Sequence, residues 1–152
     1  MLRERVERGL VAGGIAAVAT GGALLGLGRA RGATVTLLND AAHILIGERA
    51  RLVESPHLLV TSLAMLVHLG SLLLWGVLFT FAAASLRGWR LGLAAIAFAG
   101  AMLAADVLLL PESLRPGFET AMTLPELILL YAIVAASLSA GVAASRRRGT
   151  VA

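Results

Sequence analysis

The chain predicts an all-α membrane protein: a four-transmembrane-helix bundle with a short amphipathic interfacial helix between helices 1 and 2. Three observations carry that prediction. First, 59% of the 152 residues are hydrophobic and 14% are charged, against about 25% charged in an ordinary soluble domain. Second, the mean hydropathy is +0.89, and apolar residues gather in four runs near 9–28, 57–85, 89–110 and 124–144. Each run supplies the ~20 helical residues that cross a bilayer. Third, no water in a bilayer core satisfies backbone groups, so runs of this length are helices. The chain reads as one domain over 1–152, with outer loops at 29–56 and 111–123.

The first run follows Arg3, Arg5 and Arg8. It is longer than a signal-peptide core, and Glu4 and Glu7 interrupt the positive segment, so it reads as an uncleaved first span. Gly9, Gly13, Ala17 and Gly21 recur every four residues along it. Small residues at that spacing let helix backbones approach closely.

The most polar internal stretch follows, "LLNDAAHILIGERARLVESPH" at 37–57. Val35, Leu38, Ala42, Leu45 and Ile46 recur at helical spacing. They predict an amphipathic helix near 34–46 at the outer interface, ended by Gly47. Asn39, Asp40 and His43 share one surface of it. Asp40 beside His43 reads first as a hydrogen-bonded tie from loop to bundle, and in the alternative as one part of a metal, haem or proton site. Residues 48–54 read as an exposed, mixed-charge connection. Ser55-Pro56 reads as an N-cap with proline at the first helical position.

His57 opens the second helix, and His68 lies eleven residues on, along one stripe with Thr61 and Ala64. At 1.5 Å per residue the two imidazoles are roughly 16 Å apart, too far to share a metal ion. His68 sits near mid-membrane, where ionisable groups are uncommon and often functional. The bland alternative is a neutral histidine bonded across helices, to Tyr131 or a serine. Trp89 marks the interface at the tight "LRGWRLG" turn.

Near the outer end of the third span lies Asp106, for which Arg115 and His57 are the expected partners. Arg115-Pro116-Gly117 suits a type II turn. Thr123 and Glu126 have the spacing of a capping box opening the fourth helix. Asn39, Asp40, His43, His57, Asp106, Arg115, Glu119 and Glu126 are therefore expected as an outer polar cluster, with His68 and Tyr131 deeper in the membrane. On the fourth helix Ala132, Ala136, Ala140 and Ala144 form a second small-residue face.

All 13 basic residues are arginine. Eight fall on the side of the termini and the 86–90 turn and five on the other, so the positive-inside rule places both termini in the cytoplasm. A pI of 11.3 might suggest nucleic acid as a partner, but arginines scattered at helix ends argue topology instead. Expected partners are the lipid bilayer and other membrane subunits, or a second copy through either small-residue face. The absence of cysteine excludes thiolate chemistry. No H-E-x-x-H, P-loop or G-x-S-x-G is present, so no residue is assigned as catalytic.

"LLNDAAHILIGERA", "VHLGSLLLWGVLF" and "DVLLLPESLRPGFE" resemble a family of small, uncharacterised four-span proteins of the bacterial inner membrane. The resemblance covers about 37–131. It rests on Asn39, His43, Gly47, His68, Trp75, Asp106, Pro111, Arg115, Pro116, Gly117, Phe118, Glu119 and Tyr131. It implies the architecture and these polar positions, and no activity. The seven-residue spacing of His68 and Trp75 also resembles a pattern of haem- or copper-associated membrane proteins. The expectation is a non-enzymatic accessory or interaction subunit. The alternatives are a haem or metal-ion component using His68, His43 or His57, and a small proton-coupled permeation unit using Asp106 and His68.

Overall fold

The computed structural model describes residues 2–148, without the side chains of Arg51, Glu119 and Arg148. Every regular element among them is helical. Helix α1, Leu2–Ala30, begins well before the apolar run. Its first turns carry the i,i+4 pairs Arg3–Glu7 and Arg8–Glu4, which add local support to the helix end, and α4 holds it through Thr80 Oγ1, which donates to the Arg5 carbonyl at 3.0 Å.

The chain then folds back tightly over Gly28, where a Cβ would lie 2.5 Å from the Thr34 carbonyl. The segment expected as a helix near 34–46 is helical from Thr36 to Ile46: α2 (Thr36–Asn39) runs through a 3-10 turn (Asp40–Ala42) into α3 (His43–Ile46). Residues 37–43 are all buried, polar ones included. The physical reason is composition. Leu37, Leu38, Ala41 and Ala42 are apolar or small on more than one face, so the segment sinks against the bundle. Gly47 ends it with φ +73°, a conformation that favours glycine. The connection that follows is a 3-10 turn, Glu48–Leu52, with only Ala50 buried among its described side chains.

Helix α4 covers Leu58–Ala82. Its N-cap is His57, whose Nδ1 accepts from the Val60 N–H at 3.4 Å, so the cap expected at Ser55 moves two residues on. The imidazole lone pair does there what a hydroxyl oxygen does elsewhere. Helix α5, Trp89–Ala104, continues into a π turn at Ala105–Leu109, closed by Leu110 N–H to the Ala105 carbonyl at 3.0 Å. Leu110 is extended (φ −75°, ψ 139°), as the following proline requires. Gly117, at φ +84° and ψ −6°, has the dihedrals of the third residue of a type II turn. The short α6, Phe118–Ala121, leads to α7, Leu124–Arg148.

The described residues thus include four helices long and apolar enough to cross a membrane. Helix α1 lies between α4 and α7, and α5 packs on α7. Glycine permits this close approach. A Cβ on Gly13 would lie 2.3 Å from the Leu72 carbonyl oxygen, and one on Gly76 2.4 Å from the Gly9 carbonyl oxygen. The α1 small-residue stripe therefore faces α4 of the same chain at Gly9 and Gly13. The α7 stripe, Ala132, Ala136, Ala140 and Ala144, is exposed along its length. Consecutive helices α4 and α5 meet through bulk instead: Trp75 stands edge-on to Phe98 at 5.7 Å, and Phe79 tilts against it at 5.3 Å. That wedge leaves a gap between α4 and α5 in the half of the bundle away from the termini.

Candidate functional site

A cavity of about 280 Å³ fills that gap. Its α4 wall presents Val67, His68, Ser71, Leu72, Leu74 and Trp75; Thr20 of α1 stands behind them. The facing wall presents Met102 and Asp106 together with Leu130, Tyr131 and Val134 of α7. Ala41, Ile44, Leu114, Pro116 and Phe118 form a roof. Ser71 and Leu74 are exposed on the bundle surface, Leu74 by 59%, so the cavity opens sideways through the gap near the middle of α4.

His68 is fixed by α1. Its Nε2 lies 3.1 Å from Thr20 Oγ1 and 3.2 Å from the Ala17 carbonyl. Thr20 is 1% exposed and donates its hydroxyl hydrogen to the Ala16 carbonyl at 2.7 Å. The partner expected for His68, Tyr131 or a serine, is therefore corrected to Thr20 and Ala17. Tyr131 instead donates to Asp106 Oδ2 at 2.5 Å. That replaces the pairing of Asp106 with Arg115 or His57. Arg115 Nε donates to the Leu110 carbonyl at 3.0 Å, holding the turn next to the π segment. His57 stays at the start of α4, where its backbone N–H donates to Thr61 Oγ1 at 3.1 Å.

The remaining outer polar residues fasten the roof. Asn39 is fully buried, and its Nδ2 donates to the Val53 carbonyl at 2.9 Å. His43 is buried, and its Nδ1–H donates to the Asp40 carbonyl at 2.6 Å. Arg31 clamps two loops, donating to the Ala121 carbonyl at 2.8 Å and to Glu126 at 2.5 Å. The capping box is present: Glu126 Oε2 accepts from Thr123 N–H and Oγ1, each at 2.7 Å. The side chain of Glu119 lies outside the described residues.

Among the described contacts, Asn39 and His43 bond within the roof, Arg115 bonds to the Leu110 carbonyl and Glu126 to Thr123 and Arg31. Among the described residues no group of three His, Asp or Glu side chains is placed to hold a metal ion. His43, His57 and His68 belong to the roof, a helix cap and the cavity respectively, so they form no common ligand set.

No protein-family model, curated protein or solved structure matches the chain. Thr20, Ser71 and Arg31 were not singled out by sequence reasoning. Thr20 had a signal: it falls seven residues after Gly13, on the small-residue face that meets α4. Ser71 follows His68 by three residues, and no sequence signal marked it. Arg31 was counted only for topology, because its partner Glu126 is 95 residues away.

Proposed function

We propose that this chain is a non-enzymatic accessory subunit of the bacterial inner membrane, with both termini cytoplasmic. On this reading its outer polar residues hold loops over a cavity that receives a lipid-soluble small molecule. One observation carries the reading: the cavity between α4 and α5 opens sideways at Ser71 and Leu74, at a depth that a bilayer would fill with hydrocarbon. A mostly apolar pocket with a few convergent polar groups is the usual form of a small-molecule site. At about 280 Å³ it suits a head group better than a large ligand, since drug-sized sites run from about 300 to 1,000 Å³.

Six positions that carry the family resemblance line this cavity: His68, Trp75, Asp106, Pro116, Phe118 and Tyr131. Contact with other subunits, or with a second copy, falls to the exposed alanine face of α7. The test is saturable binding of an apolar fluorophore, N-phenyl-1-naphthylamine, to the protein in nanodiscs. Ser71→Trp, which fills the mouth without entering the core, should abolish it. Binding that ignores Ser71→Trp would overturn the assignment. Loss of a measurable activity in His43→Ala and Asp106→Asn, with folding and complex formation intact, would overturn the non-enzymatic part.

A second reading is favoured by the presence of His68, Asp106 and Tyr131 on one cavity. These groups suit proton-coupled permeation. Proteoliposome flux that is unchanged when His68 and Asp106 are both replaced would exclude it.

A further inference from the structure

A groove of about 510 Å³ lies on the outside of the bundle, between α5 and α7. Gly92, Ile96 and Gly100 form one wall, and Ile128, Ala132 and Ala136 the other. The two hydroxyls along it, Ser139 and Tyr131, donate to the Ala136 carbonyl and to Asp106, so the rest of the lining is hydrocarbon. Among the described residues nothing fills it: a Cβ on Gly92 or Gly100 would meet no atom within 4 Å. From Gly92 to Leu103, and from Ser139 back to Ile128, it follows each helix for about 16 Å at 1.5 Å per residue. That is close to half of a ~30 Å hydrocarbon core, the depth of one leaflet.

The groove ends on the side of the termini, and that end is positively charged. Trp89, one turn before Gly92 on the same face of α5, is 71% exposed and marks the headgroup level. The Arg90 guanidinium stands over its ring, 5.6 Å from the centroid. Arg146, two turns beyond Ser139, ends the α7 wall, and the charges of Arg8 and Arg87 act on it from α1 and from the turn between α4 and α5. Its bonds to carbonyls at the end of α4 neutralise no charge. The two acids on this side, Glu4 and Glu7, pair with Arg8 and Arg3 within α1. Arg87 and Arg90 are exposed and belong to neither pair.

We propose that the α5–α7 groove holds an acyl chain of an anionic phospholipid whose phosphate is bound by Arg87 and Arg90. The proposal rests on the bilayer placement and orientation proposed for the chain, and not on the α4–α5 cavity. Basic sites beside helices on the cytoplasmic side bind anionic head groups. Charge argues against the other occupant, a helix of a second copy or of another subunit seated on Ala132 and Ala136. Such a helix in the same orientation brings its own arginine-rich flank to this level, like charge against like. Ile96 and Ile128, 64% and 56% exposed, also hold a second backbone away from the small residues, whereas a flexible chain passes beside them. Ala140 and Ala144, which do not line the groove, remain for a protein partner.

The test uses the full chain in phosphatidylcholine nanodiscs containing a phospholipid with a diazirine on its acyl chain, either phosphatidylglycerol or phosphatidylcholine. After illumination, peptide mass spectrometry maps the labelled residues. The expected result is labelling concentrated at 92–103 and 128–139, and stronger with phosphatidylglycerol. Arg87→Gln combined with Arg90→Gln should weaken the phosphatidylglycerol labelling by up to roughly fivefold per arginine and leave the phosphatidylcholine labelling unchanged. Gly100→Phe, placed where nothing lies within 4 Å, should remove label from the groove, with circular dichroism confirming the helices. Equal labelling by the two probes overturns the inference, as does phosphatidylglycerol labelling that ignores the paired arginine substitutions. A groove that stays unlabelled while native mass spectrometry shows a dimer identifies a second copy as the occupant and overturns it too. Binding of N-phenyl-1-naphthylamine that Ser71→Trp blocks would leave the cavity reading standing through each of these outcomes. No labelling of any helix by either probe would overturn the bilayer placement, and the inference with it.

Discussion

Gly13→Ala, set beside Gly14→Ala, measures how closely α1 and α4 are packed. A Cβ at Gly13 would lie 2.3 Å from the Leu72 carbonyl oxygen and 2.8 Å from Leu73 Cα. Ordinary contact begins at 3.4 Å, so the shortfall is 3.4 − 2.3 = 1.1 Å. Both obstructing atoms are backbone, so no side-chain rotation relieves the clash, and α1 must move off α4 by about 1 Å. A gap of that size forfeits a quarter to a half of each dispersion contact across the interface. It also stretches the bond from Thr20 to His68. Overpacking costs typically about 1–3 kcal/mol, and the upper part of that range applies to a backbone clash. At Gly14 nothing lies within 4 Å of the added methyl. Both substitutions gain the same helix propensity, up to about 1 kcal/mol, so their difference isolates the clash. Gly13→Ala should therefore be about 2–3 kcal/mol less stable than Gly14→Ala. Reversible unfolding by sodium dodecyl sulfate in mixed micelles, followed by far-UV circular dichroism, reads this directly. Equal stability of the two variants would refute the packing described for α1 and α4.

Arg146 donates to the carbonyls of Ala83, Ala84 and Leu86, capping the C-terminus of α4 from α7. Arg146→Met should cost roughly 1–3 kcal/mol and speed amide hydrogen exchange at 83–88; unchanged exchange there would remove the cap from the argument. Glu126→Ala and Arg31→Ala should both destabilise: the first loses the Thr123 cap, the second the bond to the Ala121 carbonyl, and each loses the ion pair. Denaturation of the two variants in low and high salt checks this, since only the ion-pair part, common to both, should fade with salt; a loss that ignores salt in both would refute it. Asn39 is fully buried, and its Oδ1 has no hydrogen-bond partner among the described residues. Asn39→Leu, similar in shape, should stay within about 1 kcal/mol of the parent. Asn39→Asp, which sets a carboxylate against the Val53 carbonyl, should cost about 2 kcal/mol or more. Thermal unfolding that ranks these two in the opposite order would contradict the buried placement of residue 39.

The four long helices and their approximate limits were legible from local information. Apolar runs, the "LRGWRLG" turn, Gly117, Pro111 and the Thr123–Glu126 cap all act over a few residues, and nearby sequence specifies them. The turn at Gly47 was legible for the same reason, because a positive φ selects glycine wherever it occurs. Harder to read was the roof segment. Its spacing matched an amphipathic helix, yet residues 37–43 are buried. Burial depends on what stands opposite, and that partner surface is contributed by distant parts of the chain.

The candidate site divides in the same way. That His68 and Asp106 are unusual followed from sequence alone, because an ionisable group in an apolar run must find a partner whatever the fold. Which partners they find was a tertiary matter. Tyr131 was matched with His68 by chemistry, but the order α4–α1–α7–α5 puts α1 beside His68 and leaves Tyr131 to Asp106. The same order brings both pairs to one cavity, with α4 and α5 held apart by Trp75, Phe79 and Phe98. Sequence by itself determined which segments are helices and which polar groups need neighbours, because both follow from local composition and from the cost of unsatisfied groups. Only the tertiary structure decided who the neighbours are, because helix order and packing depth arise from steric fit between segments far apart in the chain.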